Sequence, residues 1–450
     1  MKKNLGYIAF ILLFFLLCLI PSVGMLAAGQ SQAGGNEVLA ALPALRDGEG
    51  RLNTDYLSQL SDYMEDNYFS RQRLVTAWSA LNVRALHTSI SEDVVLGSDG
   101  WLYFGQTLDD YTGSELLSDR EIECAARNLA LMQEYCQESG ADFLFTIAPN
   151  KNSLYPEHMP ELAVFSDQRN AARLLQALER EGVGFADLFS AFFAQEEPLY
   201  FTQDSHWNSK GAALAADAIS AALERESSYF SGPFTPVDDH RSDLYDMLFP
   251  SGTWLETDQK YAGELTFSYD VPIRSAENLT IMTTGGGQGS LLMFRDSFGN
   301  LLYPYLADSF ASALFSRSVP YKLNLVQERA ADCVVIELVE RNINYLIENV
   351  PLMPAPLREP LDAVSLDITI ALDTEPATSL PGYVLVSGTL PIQPQSGSPL
   401  CLSTAVGCYE AFLLEDDGFG LYIPEAALTA GPMSLQLTAE SGLVSVPAAT

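Results

Sequence analysis

The sequence predicts an α/β protein in which a parallel sheet flanked by helices is followed by a small β-sandwich. Apolar runs without polar alternation, such as Phe143 to Ala148, are typical of strands that are covered on both faces. Segments with helical periodicity alternate with these runs, which favours a parallel sheet with helical crossovers. After Pro351 the apolar runs become short and are divided by Gly, Pro and Ser, a composition typical of a β-sandwich.

Residues 1–28 predict an export signal. Lys2 and Lys3 precede an apolar stretch from Leu5 to Ile20, and small residues follow it. The uncleaved apolar segment would be roughly long enough to span a bilayer, so a cleaved signal peptide and a retained signal anchor both stay open. The positive start predicts that the rest of the chain lies outside the cytoplasm, secreted or anchored at the cell surface. The small and polar residues 29–50 predict a tether.

Residues 51–350 are predicted to form the main domain, with elements that follow from periodicity and turn residues. A hairpin is expected at 94–104, where a Ser-Asp-Gly turn separates two apolar runs. Asn208 or Ser209 is expected to cap the helix that follows. Residues 225–285 show few clear helix or strand patterns, and we expect them to form a long excursion over the functional site. The other predicted helices cover 55–84, 119–139, 169–181 and 210–224, and the predicted strands cover 143–148, 183–185, 291–294, 311–315 and 333–338.

The end of the chain predicts a linker and a second domain. Four prolines in residues 351–364 favour a linker, and short strands in residues 365–450 favour the β-sandwich. Cys401 and Cys408 could pair across a hairpin there, since an exported chain can keep a disulfide. The other cysteines are expected to be reduced and structural.

The charge of the chain excludes one class of function. The chain has 24 Lys and Arg against 58 Asp and Glu, a net charge of −34. Such a surface repels nucleic acid and anionic lipid headgroups, so no nucleic-acid partner is expected. It makes a neutral or cationic glycan the easier substrate, unless a local basic cleft overrides the average charge. The four histidines are scattered, so we expect no metal and no other cofactor.

The segment Asp204-Ser205-His206-Trp207 carries the first candidate site residues. A carboxylate in a tight turn can orient a nearby imidazole and stabilise its protonated form. Of the four histidines, only His206 has a sequence setting of this kind. The alternative is a histidine at a helix entrance beside a capping aspartate, and the segment alone does not decide between the two.

The segment Arg295-Asp296-Ser297-Phe298-Gly299-Asn300 carries the second candidate. A serine that follows a buried strand and opens a helix lies in the crevice where open α/β sheets bind ligands. Backbone N–H groups in such a turn can stabilise an oxyanion. The alternative is that Asp296 or Ser297 is only the N-cap of that helix.

The two segments resemble those of the DHHW and AlgX–AlgJ-type proteins, exported SGNH-hydrolase-like proteins associated with O-acetylation of surface polysaccharides. The resemblance runs from about residue 36 to residue 350. It also includes three further stretches: Gly97 to Leu102, Pro149-Asn150-Lys151, and Cys333 to Arg341.

The resemblance implies an SGNH-hydrolase-like fold and a role for each candidate residue. Ser297 would be the nucleophile, His206 the general base and Asp204 its orienting acid, with Asn150 and Asn300 as the nearest candidates for oxyanion or substrate contacts. Ser205 stands where the family name implies a second histidine.

We therefore expect serine-dependent acetyl transfer, as an O-acetyltransferase or an acetylesterase, on a cell-envelope polysaccharide. A membrane partner that delivers the acyl group is implied by the resemblance. The alternative is a tethered glycan-binding or scaffold protein with a hydrolase-like fold and no turnover.

Overall fold

The computed structural model describes residues 2–28, 39–360, 362–395, 397–429, 431–439 and 442–449. The first ten residues of the predicted tether, 29–38, lie outside these ranges. In the part of the chain that is described, no helix combines the length and the apolar character needed to cross a membrane.

The helices are short apart from the first and the fifth. In chain order they are α1 Lys2–Ala28, α2 Tyr56–Asn67, α3 Arg71–Leu81, α4 Leu108–Thr112, α5 Asp119–Glu138, α6 Lys151–Leu154, α7 Asn170–Glu181, α8 Leu188–Phe193, α9 Ser209–Ala222, α10 Asp243–Leu248, α11 Gly299–Ser309, α12 Leu325–Arg329, α13 Tyr345–Glu348 and α14 Glu425–Thr429.

The strands form one large sheet in the first part of the chain, two sheets in the last part, and two separate strand pairs. In chain order they are β1 Val94–Leu96, β2 Leu102–Phe104, β3 Asp142–Ala148, β4 Phe185–Ala186, β5 Phe234–His240, β6 Glu256–Tyr261, β7 Ser268–Tyr269, β8 Thr280–Thr284, β9 Ser290–Phe294, β10 Ser312–Ser316, β11 Cys333–Val339, β12 Leu357–Arg358, β13 Val364–Ser365, β14 Ile370–Ala371, β15 Asp373–Pro376, β16 Tyr383–Thr389, β17 Cys401–Ser403, β18 Cys408–Glu410, β19 Phe412–Leu413, β20 Gly418–Pro424, β21 Met433–Ala439 and β22 Gly442–Ala449.

The large sheet has the order β4-β3-β11-β9-β10-β8-β7. Strands β4, β3, β11, β9 and β10 pair in parallel, which confirms the predicted α/β class. At one edge the parallel sheet is extended by β8 and β7, which join it antiparallel. Both come from the excursion 225–285, whose polar sequence did not reveal strands.

Helices cover both faces of the parallel strands, as the continuous apolar runs predict. Phe143 and Phe145 of β3 belong to one buried cluster with residues of α5 and α7. Leu144, which points the other way, belongs to a second cluster with residues of α8, α9 and α11. A parallel sheet built this way exposes the carboxyl ends of β3, β11 and β9 along one edge.

The predicted local elements are largely present. The predicted hairpin at 94–104 is β1 and β2, which pair antiparallel. The predicted helix at 55–84 is interrupted, because α2 and α3 are separated at Ser70, whose φ is 59°. Asn208 caps α9, since its side chain accepts from the N–H groups of Lys210 and Gly211.

The last part of the chain forms two β-sheets, as predicted. One has the order β12-β18-β17-β21-β22-β13, with β14 also on β22, and the other has the order β15-β16-β20-β19. Most of these pairs are antiparallel, and β13 and β14 pair in parallel with β22. Within the predicted linker 351–364, Met353 is buried and Leu357–Arg358 pairs with β18.

Cys401 and Cys408 are free thiols, so the possible disulfide is not formed. Cys401 lies opposite Glu410 and Cys408 lies opposite Ser403, and the two thiols are in hydrogen-bond contact with each other. The two cysteines are therefore diagonal neighbours on β17 and β18 and not a directly facing pair.

Candidate active site

Ser297 lies in the turn between β9 and α11, at the carboxyl edge of the parallel sheet. Asp296 holds this turn, since its carboxylate accepts from the backbone N–H of Phe298 at 2.8 Å and of Val339 at 2.7 Å. A Cβ on Gly299 would lie 2.6 Å from the side chain of Arg295, so a larger residue would not fit without movement. Helix α11 begins without a side-chain cap, so the capping alternative for Ser297 is wrong.

His206 lies just before α9 and reaches both predicted partners. Its Nε2 lies 2.8 Å from Oγ of Ser297, and its Nδ1 lies 2.7 Å from Oδ1 of Asp204. The same carboxylate oxygen accepts from the backbone N–H of His206 at 2.9 Å. With Nδ1–H donating to Asp204, Nε2 is left to accept from the serine hydroxyl. The structure thus brings Ser297, His206 and Asp204 into one hydrogen-bonded line.

Trp207 locks the two site segments together. Its ring is fully buried, and its Nε1 donates to the backbone carbonyl of Phe298 at 3.0 Å. The ring of Phe298 in turn packs against that of His206, with centroids 4.7 Å apart. The imidazole is therefore held on an apolar surface.

His240 and Asp243 are site residues that the sequence did not reveal. The second oxygen of Asp204 accepts from Nε2 of His240 and from the backbone N–H of Asp243, both at 2.9 Å. The ring of His240 stacks on Phe201 with centroids 3.6 Å apart. The expectation that only His206 has a functional setting is therefore wrong. The contacts join residues 36 and 39 positions apart, and no local pattern marks them.

Lys151 binds the loop that carries Asp204. Its buried Nζ donates to the backbone carbonyls of Phe201 at 2.9 Å, Thr202 at 2.8 Å and Asp204 at 2.7 Å. Burial lowers the pKa of Lys151 to about 7, although nearby carboxylates, Asp204 first among them, oppose this. The Pro149-Asn150-Lys151 stretch thus supports the Asp204 segment directly.

The two predicted asparagines differ in what their amides contact. Asn300 uses both ends of its amide, since Oδ1 accepts from Arg295 at 2.6 Å and Nδ2 donates to Glu277. Asn150 is buried, and neither its Oδ1 nor its Nδ2 has a hydrogen-bond partner among the described residues. Of the two, Asn150 is the one whose amide has no partner among the described residues.

The acidic residues behind His206 set its protonation. Burial alone would lower the pKa of the imidazole, but the charge and hydrogen bond of Asp204, followed by the charge of Asp243, raise it above the ordinary value. Burial would raise the pKa of Asp204, but the charge and hydrogen bond of His206, with those of His240, hold it well below its usual range. Asp204 is therefore ionised at neutral pH, and His206 is readily protonated.

Ligand atoms of Asp204, His206 and Asp243 lie within 4.8 Å of one another, as a metal site would require. The Nδ1 of His206 is already bound to Asp204 and lies 3.6 Å from Asp243. A metal ion bound here would coordinate Nδ1 of His206. It would therefore break the hydrogen bond from Nδ1 to Asp204 that aligns the imidazole with Ser297.

A family model and several curated proteins match this chain over part of its length. A family model described as "SGNH hydrolase-like domain, acetyltransferase AlgX" matches residues 94–241. The probable alginate O-acetylase AlgJ of Pseudomonas syringae pv. tomato is 26% identical over 182 residues, which is 39% of this chain and 44% of that protein. The protein of the same description from Pseudomonas putida is 26% identical over 178 residues, 38% of this chain and 44% of that one. The chain thus spans less than half the length of these curated relatives.

Three solved structures align with part of the chain at low TM-scores. Bacillus cereus PatB1 aligns with a TM-score of 0.44 at 17% identity, covering 56% of this chain and 97% of that one. A DHHW family protein from Eubacterium siraeum aligns at 0.40 and 14% identity, covering 56% and 97%. The O-acetyltransferase domain of Pseudomonas putida AlgJ aligns at 0.38 and 17% identity, covering 57% and 93%.

The family match includes both the 94–104 hairpin and the Asp204 segment. Residues 94–241 therefore match the SGNH hydrolase-like family of AlgX, and the predicted resemblance to the DHHW and AlgX–AlgJ-type proteins is confirmed.

Proposed function

We propose that this protein is an exported, serine-dependent acetyltransferase or acetylesterase that acts on a cell-envelope polysaccharide. The observation that carries the proposal is the hydrogen-bonded line from Ser297 through His206 to Asp204. The relatives described as alginate O-acetylases support O-acetylation of a polysaccharide in general.

In the first half of the reaction, Oγ of Ser297 attacks the carbonyl carbon of an acetyl donor while Nε2 of His206 takes its proton. The ionised Asp204 stabilises the imidazolium that forms. Nδ2 of Asn150 is our candidate donor for the negative oxygen of the tetrahedral intermediate, because it has no other partner among the described residues. The leaving group departs with the proton from His206, and an acetyl-serine remains.

In the second half, a hydroxyl group gives its proton to Nε2 of His206 and attacks the acetyl-serine. A sugar hydroxyl as attacking group yields the O-acetylated polymer, and water yields acetate. His206 then returns the proton to Oγ of Ser297, which restores the starting state.

The proposed location is extracytoplasmic, with the chain secreted or anchored at the cell surface. The basic residues Lys2 and Lys3 followed by an apolar segment support export. Because activated acetyl groups are made in the cytoplasm, we infer a membrane partner protein that delivers the acyl group to the site.

The test is hydrolysis of 4-nitrophenyl acetate by the full chain and by its Ser297→Ala variant. We expect the variant to lose at least about a thousandfold in kcat/KM, since the nucleophile is removed. Mass spectrometry of the quenched wild type should find an acetyl group on the peptide that contains Ser297.

Ser312→Ala is the matched control, because that serine is exposed at the start of β10, at the opposite edge of the sheet. It should keep the wild-type rate. Equal rates in the wild type and in Ser297→Ala would reject the catalytic assignment. Polysaccharide binding that survives Ser297→Ala without any esterase activity would favour the alternative of a non-catalytic glycan-binding protein.

A further inference from the structure

Arg341 lies beside the Ser297 turn, at the carboxyl edge of the sheet. It follows β11 in a short 3-10 turn, Glu340–Asn342, and β11 is the direct neighbour of β9. The backbone N–H of Val339 donates to Asp296 at 2.7 Å, which joins the ends of the two strands. Arg341 is two residues beyond this hydrogen bond on one strand, and Ser297 is one residue beyond it on the other.

Two aromatic rings hold the guanidinium of Arg341. Its Cζ lies 5.2 Å from the ring centroid of Phe104 and 5.8 Å from that of Phe298. Phe298 is also the ring on which His206 rests. Contact with ring faces stabilises a cation while leaving its N–H groups free to donate. The positive charge therefore lies close to the imidazole, and it acts to lower the pKa of His206.

The guanidinium of Arg341 has no hydrogen bond and no ion pair within the described ranges. Other half-buried or buried arginines of the main domain each have such a partner, namely Arg120, Arg127, Arg169, Arg173, Arg225, Arg295 and Arg317. Arg295, for example, donates to Asn300 and to the carbonyl of Ala276, both at 2.6 Å. A half-buried cation without an anion is costly, and this chain has a large excess of carboxylates that could have supplied one. The missing partner is therefore best explained as part of a ligand.

Lys151, another cation near the site, cannot fill this role. Lys151 directs its Nζ to three backbone carbonyls and is almost completely buried. The groups packed around the imidazole at Nδ1, Asp204 and Asp243, are acidic and would repel an anion. Arg341 is thus a cation beside the Ser297 turn whose whole guanidinium has no hydrogen-bond partner, whereas both terminal nitrogens of Arg295 are bonded.

We propose that Arg341 binds an oxygen anion of the substrate beside the Ser297 hydroxyl, an inference that rests on the proposed function. A guanidinium offers two parallel N–H groups that match such oxygens. The anion has two possible sources. One is the oxygen that becomes negative when Ser297 attacks the acetyl carbonyl, and the other is an acidic group carried by the donor or by the acceptor glycan.

Kinetics with two acetyl esters separate these sources. Phenyl acetate is neutral, and 4-acetoxybenzoate carries a carboxylate. If Arg341 binds the reaction oxyanion, Arg341→Met should lower kcat/KM about a hundredfold for both esters, mainly in kcat. If it binds an acidic group, only 4-acetoxybenzoate should be affected, mainly through a higher KM. Arg341→Lys should keep part of either effect, because it keeps the charge and loses the paired N–H geometry.

Arg329→Met is the matched control. Arg329 is exposed in α12, which precedes β11 and lies at the opposite edge of the sheet, and the substitution removes the same charge. Both esters should react with this variant as with the wild type. Kinetics of Arg341→Met equal to those of Arg329→Met for both esters would overturn the inference.

A measurement without turnover distinguishes failure of this inference from failure of the proposed function. The chain has four histidines, so the ring signals of 13C-labelled histidine can be followed during a titration with sodium acetate. The signal of His206 should move with acetate in the wild type and in Arg329→Met, but not in Arg341→Met. This result in a chain that turns over neither ester would reject the proposed function and retain the anion site. No movement in the wild type, or equal movement in Arg341→Met, would overturn the anion site.

Discussion

Asp204 is the residue on which the site converges. One oxygen accepts from the backbone and from the ring of His206, and the other accepts from His240 and from the backbone of Asp243. Four N–H donors around one buried carboxylate fix its position and favour its ionised form. Because the hydrogen bond to Nδ1 sets the tautomer of His206, the geometry of Asp204 also determines that Nε2 faces Ser297.

The pH profile of the reaction tests this electrostatic arrangement. His206 must be neutral to take a proton, so activity falls as the pH drops through its pKa, which lies above the ordinary 6.5. Asp243→Asn removes a negative charge that raises this pKa, so the acid limb of kcat/KM should move to lower pH. The position of the limb is the readout, measured from pH 5 to pH 9 with 4-nitrophenyl acetate.

Asp246→Asn is the control for this shift. Asp246 lies on the same helix, α10, and pairs with Arg241 and not with the site. The acid limb of kcat/KM in the Asp246→Asn variant should coincide with that of the wild type. An acid limb in Asp243→Asn that stays in place or moves to higher pH would contradict the arrangement.

At the level of residues, the sequence predicted the line of three groups but not what surrounds it. Ser297 and His206 were recognisable because each follows or precedes a regular element with a strong pattern. His240 was not, because it ends a polar strand, and a bulge between Asp238 and His240 interrupts that strand's register. A bulge changes the face to which a side chain points, and no sequence pattern here marks it.

At the level of elements, the site depends on loops that are held together across the fold. Lys151, at the start of α6 after β3, connects its own segment to two others. Its Nζ lies 5.2 Å from the ring centroids of Trp101 and Tyr103 on the hairpin, and it donates to carbonyls of the Asp204 loop. Glu256 of β6 accepts from the N–H of Gln203 at 3.1 Å on the same loop. The conformation of the Asp204 segment therefore follows from its neighbours more than from its own residues.

We expect Lys151→Met to act on both stability and rate. Methionine can fill the space of the lysine stem, but it leaves the carbonyls of Phe201 and Asp204 without the donor they have now, while that of Thr202 keeps the N–H of Leu102. We expect a loss of about 2 kcal/mol or more in the free energy of unfolding. With Asp204 less well fixed, kcat should fall at least about tenfold at temperatures well below the melting point. Thermal unfolding and ester kinetics at 20 °C check the two effects separately.

Lys260→Met is the matched control. Lys260 pairs with Asp239 at 2.6 Å in an exposed ion pair, which contributes about 1 kcal/mol or less. Lys260→Met should resemble the wild type in both measurements. A Lys151→Met variant that retains the full kcat would show that Lys151 does not position the site.

Apolar periodicity located the buried elements of the main sheet because their surroundings are uniformly apolar. The strand predicted at 333–338 is present as β11, and the helix predicted at 119–139 is present as α5. Strands β5 and β6 escaped prediction because they pair only with each other: the side chains of β5 are largely exposed, and the buried residues of β6, Glu256 and Asp258, are acidic. Such a pair needs no apolar alternation, so pairing between distant segments, and not local pattern, decides its structure.

At the scale of the whole molecule, the C-terminal sheets pack on the main domain through α5. Asn128 is fully buried there, and its Nδ2 donates to the carbonyls of Leu346 at 2.9 Å and Leu413 at 2.8 Å. The buried core also runs without a break from α5 to residues of β21 and β22. The two parts therefore share one buried core, in spite of the composition change at residue 351.

Glu410 is the charged centre of this interface. One of its oxygens accepts from Arg127 at 2.7 and 2.9 Å, and the other accepts from Arg358 at 2.6 Å, which also binds Glu134. Removing the buried carboxylate would leave two arginines facing each other without a shared anion. We therefore expect Glu410→Gln to lower the free energy of unfolding by about 3 kcal/mol.

The consequence should be visible at the predicted linker. When the contact with α5 weakens, the C-terminal sheets separate more often and residues 351–364 become open to protease. Arg358 in this segment pairs with Glu410 of the same sheet and, across the interface, with Glu134 of α5. Thermal unfolding and limited proteolysis check this expectation against Glu179→Gln, whose glutamate is exposed on α7. Faster cleavage within 351–364 in Glu410→Gln alone would support a shared folding unit held by Glu410. Equal melting and cleavage in both variants would mean that the apolar core holds the two parts together without help from this charged network.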